Sequence, residues 1–275
     1  MLSSRRLLIA AAGTLHGAMV SETALGTVIF LHGSGDTGTG ISRYLQQAAG
    51  GGFAQTMKDA QVTLLTPSAV PRPYLLAGGR VMSVWFDRYE LQPSAPEHLE
   101  SVEASCAQLE EIVDGLVHSG TPASRIAIGG FSMGGGIALQ FAARSRHRLA
   151  AVFALSSYLC DGAKAYELLS GRRGDAGLPP VFMRHGSADD FIKPAWGQST
   201  AERLAALGAN IDFALIPGMD HSLEDGEVES LGKWLLSRLQ GPVQSNGLGL
   251  GYGATLAALQ PPAAEECDER PGRES

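Results

Sequence analysis

The sequence contains few cysteines, and their positions exclude two classes of protein. Three are present in 275 residues, Cys106, Cys160 and Cys267, and no two of them form a C-x-x-C pair. An odd number at such wide spacing argues against a disulfide scaffold and against a cysteine-ligated zinc site. This usage is typical of a reducing compartment, so we expect a cytoplasmic protein.

The sequence also lacks an excess of basic charge and a long apolar run. Its 28 acidic and 21 basic residues give a formal net charge of −7. Lys and Arg form no stripe of the kind that binds nucleic acid. No apolar run reaches the roughly 20 residues that a transmembrane helix needs. We therefore expect neither a nucleic-acid partner nor a transmembrane segment.

Composition divides the chain into one large domain and two tails. Residues 1–17 contain Arg5 and Arg6, then an apolar stretch, and no acidic residue. They form an N-terminal extension that could direct the chain to mitochondria or to secretion. Residues 18–239 have the patterned apolar segments of one α/β domain. Residues 240–275 are rich in Gly, Pro, Ala and Glu without periodicity, which predicts a disordered C-terminal tail.

Short apolar runs alternate with helix-like segments along the domain. The runs predict buried strands at residues 27–31, 61–66, 125–129, 149–156, 179–186 and 210–216. Apolar residues at helical spacing predict helices at residues 99–118, 135–144 and 224–239. The connection at residues 67–96 contains Pro and Gly, and we expect a long loop there. Strands that alternate with helices predict an α/β fold with a mostly parallel central sheet covered by helices on both faces.

One stretch organises the domain: Gly130-Phe131-Ser132-Met133-Gly134, a G-x-S-x-G between a predicted strand and a predicted helix. This is the context of a nucleophile elbow, in which a tight turn presents the serine Oγ at the edge of an α/β-hydrolase sheet. A serine hydroxyl is a weak nucleophile near neutral pH. The chain must therefore supply a base, and a carboxylate that orients the base.

His221 is the candidate base. Functional groups in such sheets lie beyond the carboxyl ends of strands, and His221 follows the last predicted strand. It is also the only histidine that comes after both Ser132 and the candidate acids. The acid stays open between Asp189 and Asp190, which follow the strand ending at residue 186, with Asp161 as a third candidate.

The glycine-rich loop at residues 32–38 admits two interpretations. Its glycines spell the G-x-G-x-x-G of dinucleotide sites, but Asp36 within the loop would face a pyrophosphate. In a hydrolase, the loop after an early strand supplies half of the oxyanion hole. The backbone N–H groups of Ser34 and Met133 would then bind the oxyanion.

Trp85 and Phe86 form an aromatic patch within the predicted loop. They can anchor the loop on the core, or they can line the pocket for an acyl chain, and one role does not exclude the other.

Several stretches in one order resemble the acyl-protein thioesterase and lysophospholipase family of α/β-hydrolases, and within it the lysophospholipase-like branch. They lie at residues 30–38, 85–88, 96–101, 129–135, 153–157 and 218–221. The resemblance selects Asp189 through the pattern His-Gly-x-x-Asp, so that Ser132, Asp189 and His221 match the catalytic triad of the family. It also assigns the oxyanion hole to Ser34 and Met133.

The resemblance implies a serine hydrolase that cleaves acyl thioesters or carboxylic esters through an acyl-serine, without a metal or an organic cofactor. S-acylated proteins are among the implied substrates, as for a palmitoyl-protein hydrolase. Two alternatives stay open. One is a carboxylesterase for short-chain esters with little action on acylated proteins, and the other is a non-catalytic binding module with the hydrolase fold. We expect a monomer or a weak dimer.

Overall fold

The computed structural model describes residues 25–171 and 177–240. The predicted extension at residues 1–17, Cys267 and the predicted tail beyond residue 240 lie outside the described residues. Within them, eight strands follow one another along the chain: β1 (Gly26–Leu31), β2 (Val62–Leu65), β3 (Pro71–Tyr74), β4 (Arg80–Ser83), β5 (Ile126–Phe131), β6 (Ala151–Leu155), β7 (Val181–Gly186) and β8 (Ile211–Ile216).

Six of these strands form one sheet in the order β2-β1-β5-β6-β7-β8, and every neighbouring pair is parallel. The prediction of an α/β fold with a mostly parallel sheet is therefore confirmed. All six predicted strands are present, and their ends differ from the prediction by at most two residues.

Helices cover both faces of the sheet, as predicted. Apolar residues of α1, α2 and α7 pack in a core with one face, and those of α3, α4, α5 and α6 pack in a core with the other. These helices are α1 (Gly38–Gln47), α2 (Gly52–Asp59), α3 (Leu99–His118), α4 (Met133–Ala142), α5 (Lys164–Ser170), α6 (Pro194–Ala206) and α7 (Asp225–Leu239).

Strand β1 shows why the predicted strands read as unbroken apolar runs. Val28 and Phe30 belong to one core, Ile29 and Leu31 belong to the other, and all four are fully buried. A strand covered on both faces has no polar side, so its sequence does not alternate. Each such side chain contributes roughly 1.5–3 kcal/mol by leaving water.

The connection at residues 67–96 contains a structure that the sequence pattern did not predict. Strands β3 and β4 pair antiparallel there as a small separate sheet, in which Tyr74 faces Arg80 and Pro71 faces Ser83. Proline is rare in strands because it lacks the N–H that a ladder needs, so Pro71 and Pro73 concealed this hairpin.

Among the described residues, no helix has the length and apolar character that crossing a bilayer requires.

The first turn of α7 contains a buried acid, Glu227, which is 4% exposed. Burial disfavours the charged form and raises the pKa of Glu227 to about 8, and repulsion from Glu224 adds to the shift. The carboxyl is therefore neutral in the folded chain near pH 7. In the unfolded chain it ionises near the ordinary value of 4.5.

This difference predicts a pH-dependent stability. Because the folded chain holds the proton more tightly, the contribution of Glu227 is fully present below about pH 4.5 and is lost as the pH rises towards about 8. We expect the free energy of unfolding of Glu227→Gln, relative to wild type, to rise by about 3 kcal/mol from pH 5 to pH 8 in urea titrations.

The matched control is Glu229→Gln on the same helix, where the acid is exposed and pairs with Lys233 at 2.6 Å. Its free energy of unfolding should differ from wild type by the same amount at both pH values. A Glu227→Gln curve parallel to that of wild type would contradict the argument.

Candidate active site

Ser132 lies in the sharp turn between β5 and α4. Its backbone angles are φ 53° and ψ −118°, a region that residues other than glycine rarely adopt. The turn is fixed on both sides, because the N–H of Ser132 donates to the Leu155 carbonyl at 2.8 Å and its own carbonyl accepts from Gly136 at 3.2 Å. The side chain is thus held at the carboxyl end of β5, as the elbow motif predicts.

The two outer glycines of the motif allow the turn to pack against β1. A Cβ atom built on Gly130 would lie 2.2 Å from the carbonyl oxygen of Leu31, and one on Gly134 would also lie 2.2 Å from that oxygen. Neither position therefore accommodates a side chain without moving the backbone. Strand, turn and helix can approach one another this closely only because both residues are glycine.

His221 and Asp189 complete a hydrogen-bonded row that begins at Ser132. The distance from His221 Nε2 to Ser132 Oγ is 3.0 Å, and that from His221 Nδ1 to Asp189 Oδ2 is 2.7 Å. An ionised carboxylate only accepts hydrogen bonds, so Nδ1 carries the proton and Nε2 accepts from the serine hydroxyl. The arrangement can withdraw a proton from Ser132 and stabilise the imidazolium that results.

Backbone donors fix Asp189 in this position. Its Oδ1 accepts from the N–H groups of Phe191 at 3.0 Å and Ile192 at 2.8 Å, which leaves Oδ2 for His221. The two alternative acids lie elsewhere. The side chain of Asp190 is 99% exposed and pairs with Lys193, and Asp161 pairs with Arg203.

A second histidine, not predicted from the sequence to belong to the site, lies behind the carboxylate. His185 Nε2 is 3.3 Å from Asp189 Oδ2 and donates to the carbonyl of Ile192 at 2.8 Å. Burial lowers the pKa of His185, so the ring is neutral near pH 7 and leaves the charge of Asp189 to His221. The position at the end of β7, in the pattern His-Gly-x-x-Asp, was the available signal.

The loop after β1 lies beside Ser132 and is held by His32. A Cβ on Gly33 would be 3.6 Å from the Cβ of Ser132, so the backbone of this loop borders the serine. His32 Nδ1 donates to the Gly33 carbonyl at 2.7 Å, and its Nε2 accepts from the N–H of Ala69 at 3.0 Å. Burial lowers the pKa of His32, which favours this neutral form.

The same loop contacts the β3–β4 hairpin, and residues of its G-x-G-x-x-G pattern form hydrogen bonds within the protein. The N–H of Gly35 donates to the Ser83 carbonyl at 2.9 Å, and Thr37 caps α1 by accepting from Gly40 at 3.1 Å. A Cβ on Gly40 would lie 1.9 Å from the carboxylate of Asp36. An acidic group therefore occupies the helix start, where a pyrophosphate would bind in a dinucleotide site.

Trp85 and Phe86 have different surroundings. Trp85 is fully buried, and its Nε1 donates to the carbonyl of His32 at 3.0 Å, so it supports the loop after β1. The ring of Phe86 lies 3.7 Å from the position of a Cβ on Gly136, in the first turn of α4. Phe86 therefore borders the start of α4, which directly follows Ser132.

A group with metal-type donors lies at the other end of the sheet. Glu110, Asp114 and His147 bring one ligand atom each within 4.8 Å of one another, at the amino-terminal end of β6. Arg146 pairs with both carboxylates, and His147 Nε2 is 2.7 Å from Asp114 Oδ1. Arg146 therefore engages both carboxylates, and the group lies at the opposite end of the sheet from Ser132.

Comparison with known proteins gives consistent matches over most of the chain. A family model described as phospholipase/carboxylesterase matches residues 19–238. Mouse lysophospholipase-like protein 1 is 39% identical over 215 residues, which cover 78% of this chain and 87% of the mouse protein. Acyl-protein thioesterase 1 of Neurospora crassa is 33% identical over 227 residues, which cover 81% of this chain and 89% of the fungal protein.

Solved structures agree with the fold. The crystal structure of Zea mays acyl-protein thioesterase 2 superposes with a TM-score of 0.62 and 27% sequence identity, covering 79% of this chain and 95% of the maize chain. The expectation of an α/β-hydrolase fold, made from the elbow motif and the strand pattern, is confirmed.

The packing of the elbow predicts the effect of one methyl group. Gly134→Ala places a carbon within 2.7 Å of two backbone carbonyls, those of Leu31 and His32. We expect its free energy of unfolding to fall by about 1–3 kcal/mol in urea titrations, although alanine is the better helix former. Gly162→Ala is the control, since no atom lies within 4 Å of the added carbon. Equal stability of the two variants would show that the elbow has room to relax.

Proposed function

The chain belongs to the phospholipase and carboxylesterase family, and on this basis we propose that it is a serine hydrolase that cleaves acyl thioesters or carboxylic esters. The observation that supports the proposal is the hydrogen-bonded row from Ser132 through His221 to Asp189, beyond the carboxyl ends of β5, β8 and β7. The relatives named as an acyl-protein thioesterase and a lysophospholipase-like protein favour acyl substrates, and we propose S-acylated proteins among them.

In the first half of the reaction, Ser132 Oγ attacks the carbonyl carbon of the substrate while His221 Nε2 takes its proton. Asp189 holds the ring and stabilises the positive charge that forms on it. The negative charge that develops on the substrate oxygen is bound by the N–H groups of Ser34 and Met133. The intermediate then expels the thiolate or alkoxide, which takes the proton from His221, and an acyl-serine remains.

In the second half, water replaces the leaving group. His221 takes a proton from the water as it attacks the acyl-serine, and the same N–H groups bind the oxyanion again. Collapse of the intermediate returns the proton to Ser132 Oγ and releases the carboxylic acid. The chemistry requires only groups of this chain, and we propose no metal or organic cofactor.

A carboxylesterase for short-chain esters is the second candidate, and one observation favours it. Trp85 is fully buried and Phe86 is 8% exposed, so both aromatic rings of the proposed acyl pocket are packed against their neighbours. Such packing suits a short acyl group better than a palmitoyl chain.

The cysteine usage supports a cytoplasmic location, and we propose a monomer or a weak dimer.

The acyl length separates the two candidates. We expect wild type to hydrolyse p-nitrophenyl esters from acetyl to palmitoyl, and Ser132→Ala to lose at least about 10³-fold in kcat at every length. Rates that hold towards palmitoyl, with hydrolysis of an S-palmitoyl peptide, support a depalmitoylase, and a maximum at short chains supports the carboxylesterase. Full activity of Ser132→Ala would contradict the serine mechanism.

A fluorophosphonate probe gives an independent control, because it reacts covalently with an activated serine. It should label wild type and leave Ser132→Ala unlabelled. A folded wild type that is neither labelled nor active on any ester would support the non-catalytic binding module instead.

The role of the acid has its own test in two neighbouring residues. Asp189→Asn leaves the shape intact but no longer stabilises the imidazolium, so we expect kcat to fall about 10²–10⁴-fold. Asp190→Asn is the matched control, and its kcat should stay within about twofold of wild type because the carboxylate is fully solvated. The reverse result would assign the acid to Asp190.

A further inference from the structure

A buried arginine near the proposed acyl pocket has no acidic partner. Arg88 is 7% exposed, and its Nη1 donates to the hydroxyl of Tyr158 at 2.6 Å. Its Nε is buried and has no hydrogen-bond partner. None of the carboxylates in the described residues lies within the 4.0 Å of an ion pair with this guanidinium. Arginine is almost never buried in this way unless it is paired.

Two acids lie close to Arg88 but are engaged by other groups. Asp87 accepts from the backbone N–H groups of Leu75 and Arg88, and Glu97 pairs with Arg144. The guanidinium lies 4.8 Å from the centre of the Phe86 ring and 4.9 Å from that of Tyr158, so two aromatic faces support it. Burial raises the pKa of Tyr158 to about 12 and also raises the pKa values of Tyr74 and Cys160, so all three acids are neutral near pH 7. One N–H of the guanidinium, at Nε, therefore remains without an acceptor in a poorly solvated place.

The neighbours of Arg88 connect it to the site at two points. The Phe86 ring and the Tyr158 carbonyl lie 3.7 Å and 3.2 Å from the position of a Cβ on Gly136, whose N–H donates to the carbonyl of Ser132 at 3.2 Å. Tyr74, whose phenol also senses the charge of Arg88, is hydrogen-bonded to the side chain of Ser34. Arg88 thus stands one side chain away from both the elbow and the loop after β1.

A second polar group without a partner lies at the same turn of α4. Ser157 Oγ is buried, has no hydrogen-bond partner, and lies 3.4 Å from the position of a Cβ on Gly136. The hydroxyl of Ser157 and the Nε of Arg88, both without a partner, are donors that a carboxylate would satisfy.

We propose that Arg88 and Tyr158 form an anion subsite at the far end of the acyl pocket, and that the preferred substrates are thioesters or esters of short dicarboxylic acids. Ser132 attacks the thioester or ester carbonyl of such a substrate. The free carboxylate at the other end binds Arg88 and takes no part in the hydrolysis. A neutral acyl chain would leave the buried charge unpaired and is disfavoured for that reason. The inference rests on the proposed function.

Three thioesters of N-acetylcysteamine test the subsite in wild type. They carry hexanoyl, adipoyl and monomethyl adipoyl groups. Hexanoyl and adipoyl have acyl chains of equal length, and monomethyl adipoyl is slightly longer. Only the adipoyl group carries a distal charge. We expect kcat/KM for adipoyl to exceed that for monomethyl adipoyl at least about tenfold, chiefly through a lower KM. An adipoyl rate equal to or below that of the neutral thioesters overturns the proposal.

Variants assign the preference to Arg88. The readout is the ratio of kcat/KM for adipoyl to that for monomethyl adipoyl within each protein, so a general loss of activity cancels. Arg88→Gln should reduce the ratio to about one, and Arg88→Lys should retain part of it because the charge persists. Arg203→Gln is the matched control, since Arg203 also lies over a tyrosine ring, that of Tyr166 at 3.8 Å. An unchanged ratio in Arg88→Gln overturns the proposal.

A measurement on wild type alone remains decisive if Arg88→Gln does not fold. Adipate and hexanoate compete with the fluorophosphonate probe for Ser132, and adipate should protect at about a tenfold lower concentration. Equal protection overturns the subsite. A wild type that is labelled and active on hexanoyl but indifferent to the distal charge contradicts only the subsite, whereas one that is neither labelled nor active contradicts the proposed function.

Discussion

The carbonyl oxygen of Leu31 lies where a methyl group on either Gly130 or Gly134 would have to go, and this close contact determines the geometry of the site. It brings the end of β1, the turn at Ser132 and the start of α4 into one packed unit. The positive φ of Ser132 persists because the strand and the helix around it leave no other path for the chain. Backbone packing therefore fixes the position of the Ser132 hydroxyl independently of its hydrogen bond to His221.

Much of this architecture follows from local sequence. Buried parallel strands are unbroken apolar runs, so all six strands of the large sheet were predictable, and a G-x-S-x-G between a strand and a helix identified the elbow. The choice of Asp189 over Asp190 came from the family resemblance and not from charge or periodicity, because the two are adjacent carboxylates. In the structure, the backbone donors of Phe191 and Ile192 hold Asp189 against His221, whereas Asp190 is exposed.

What escaped the sequence depends on contacts between distant segments. The β3–β4 hairpin was concealed by its prolines, and its pairing is visible only once Tyr74 faces Arg80. His185 and Arg88 belong to no periodic pattern, because their environment is made by residues far away in the chain. A side chain whose partner is 70 residues distant, as Tyr158 is from Arg88, leaves no trace in local composition.

Two hydrogen bonds connect the loop after β1 to residues 69–83, the segment that contains the hairpin. The N–H of Ala69, just before β3, donates to His32, and the N–H of Gly35 donates to the carbonyl of Ser83 at the end of β4. The chain on either side of Ser34 is thus hydrogen-bonded to the small sheet and to the residues that precede it. Leu75, Leu76 and Val81 of this region face solvent. These two hydrogen bonds therefore link that exposed surface to the chain on either side of Ser34.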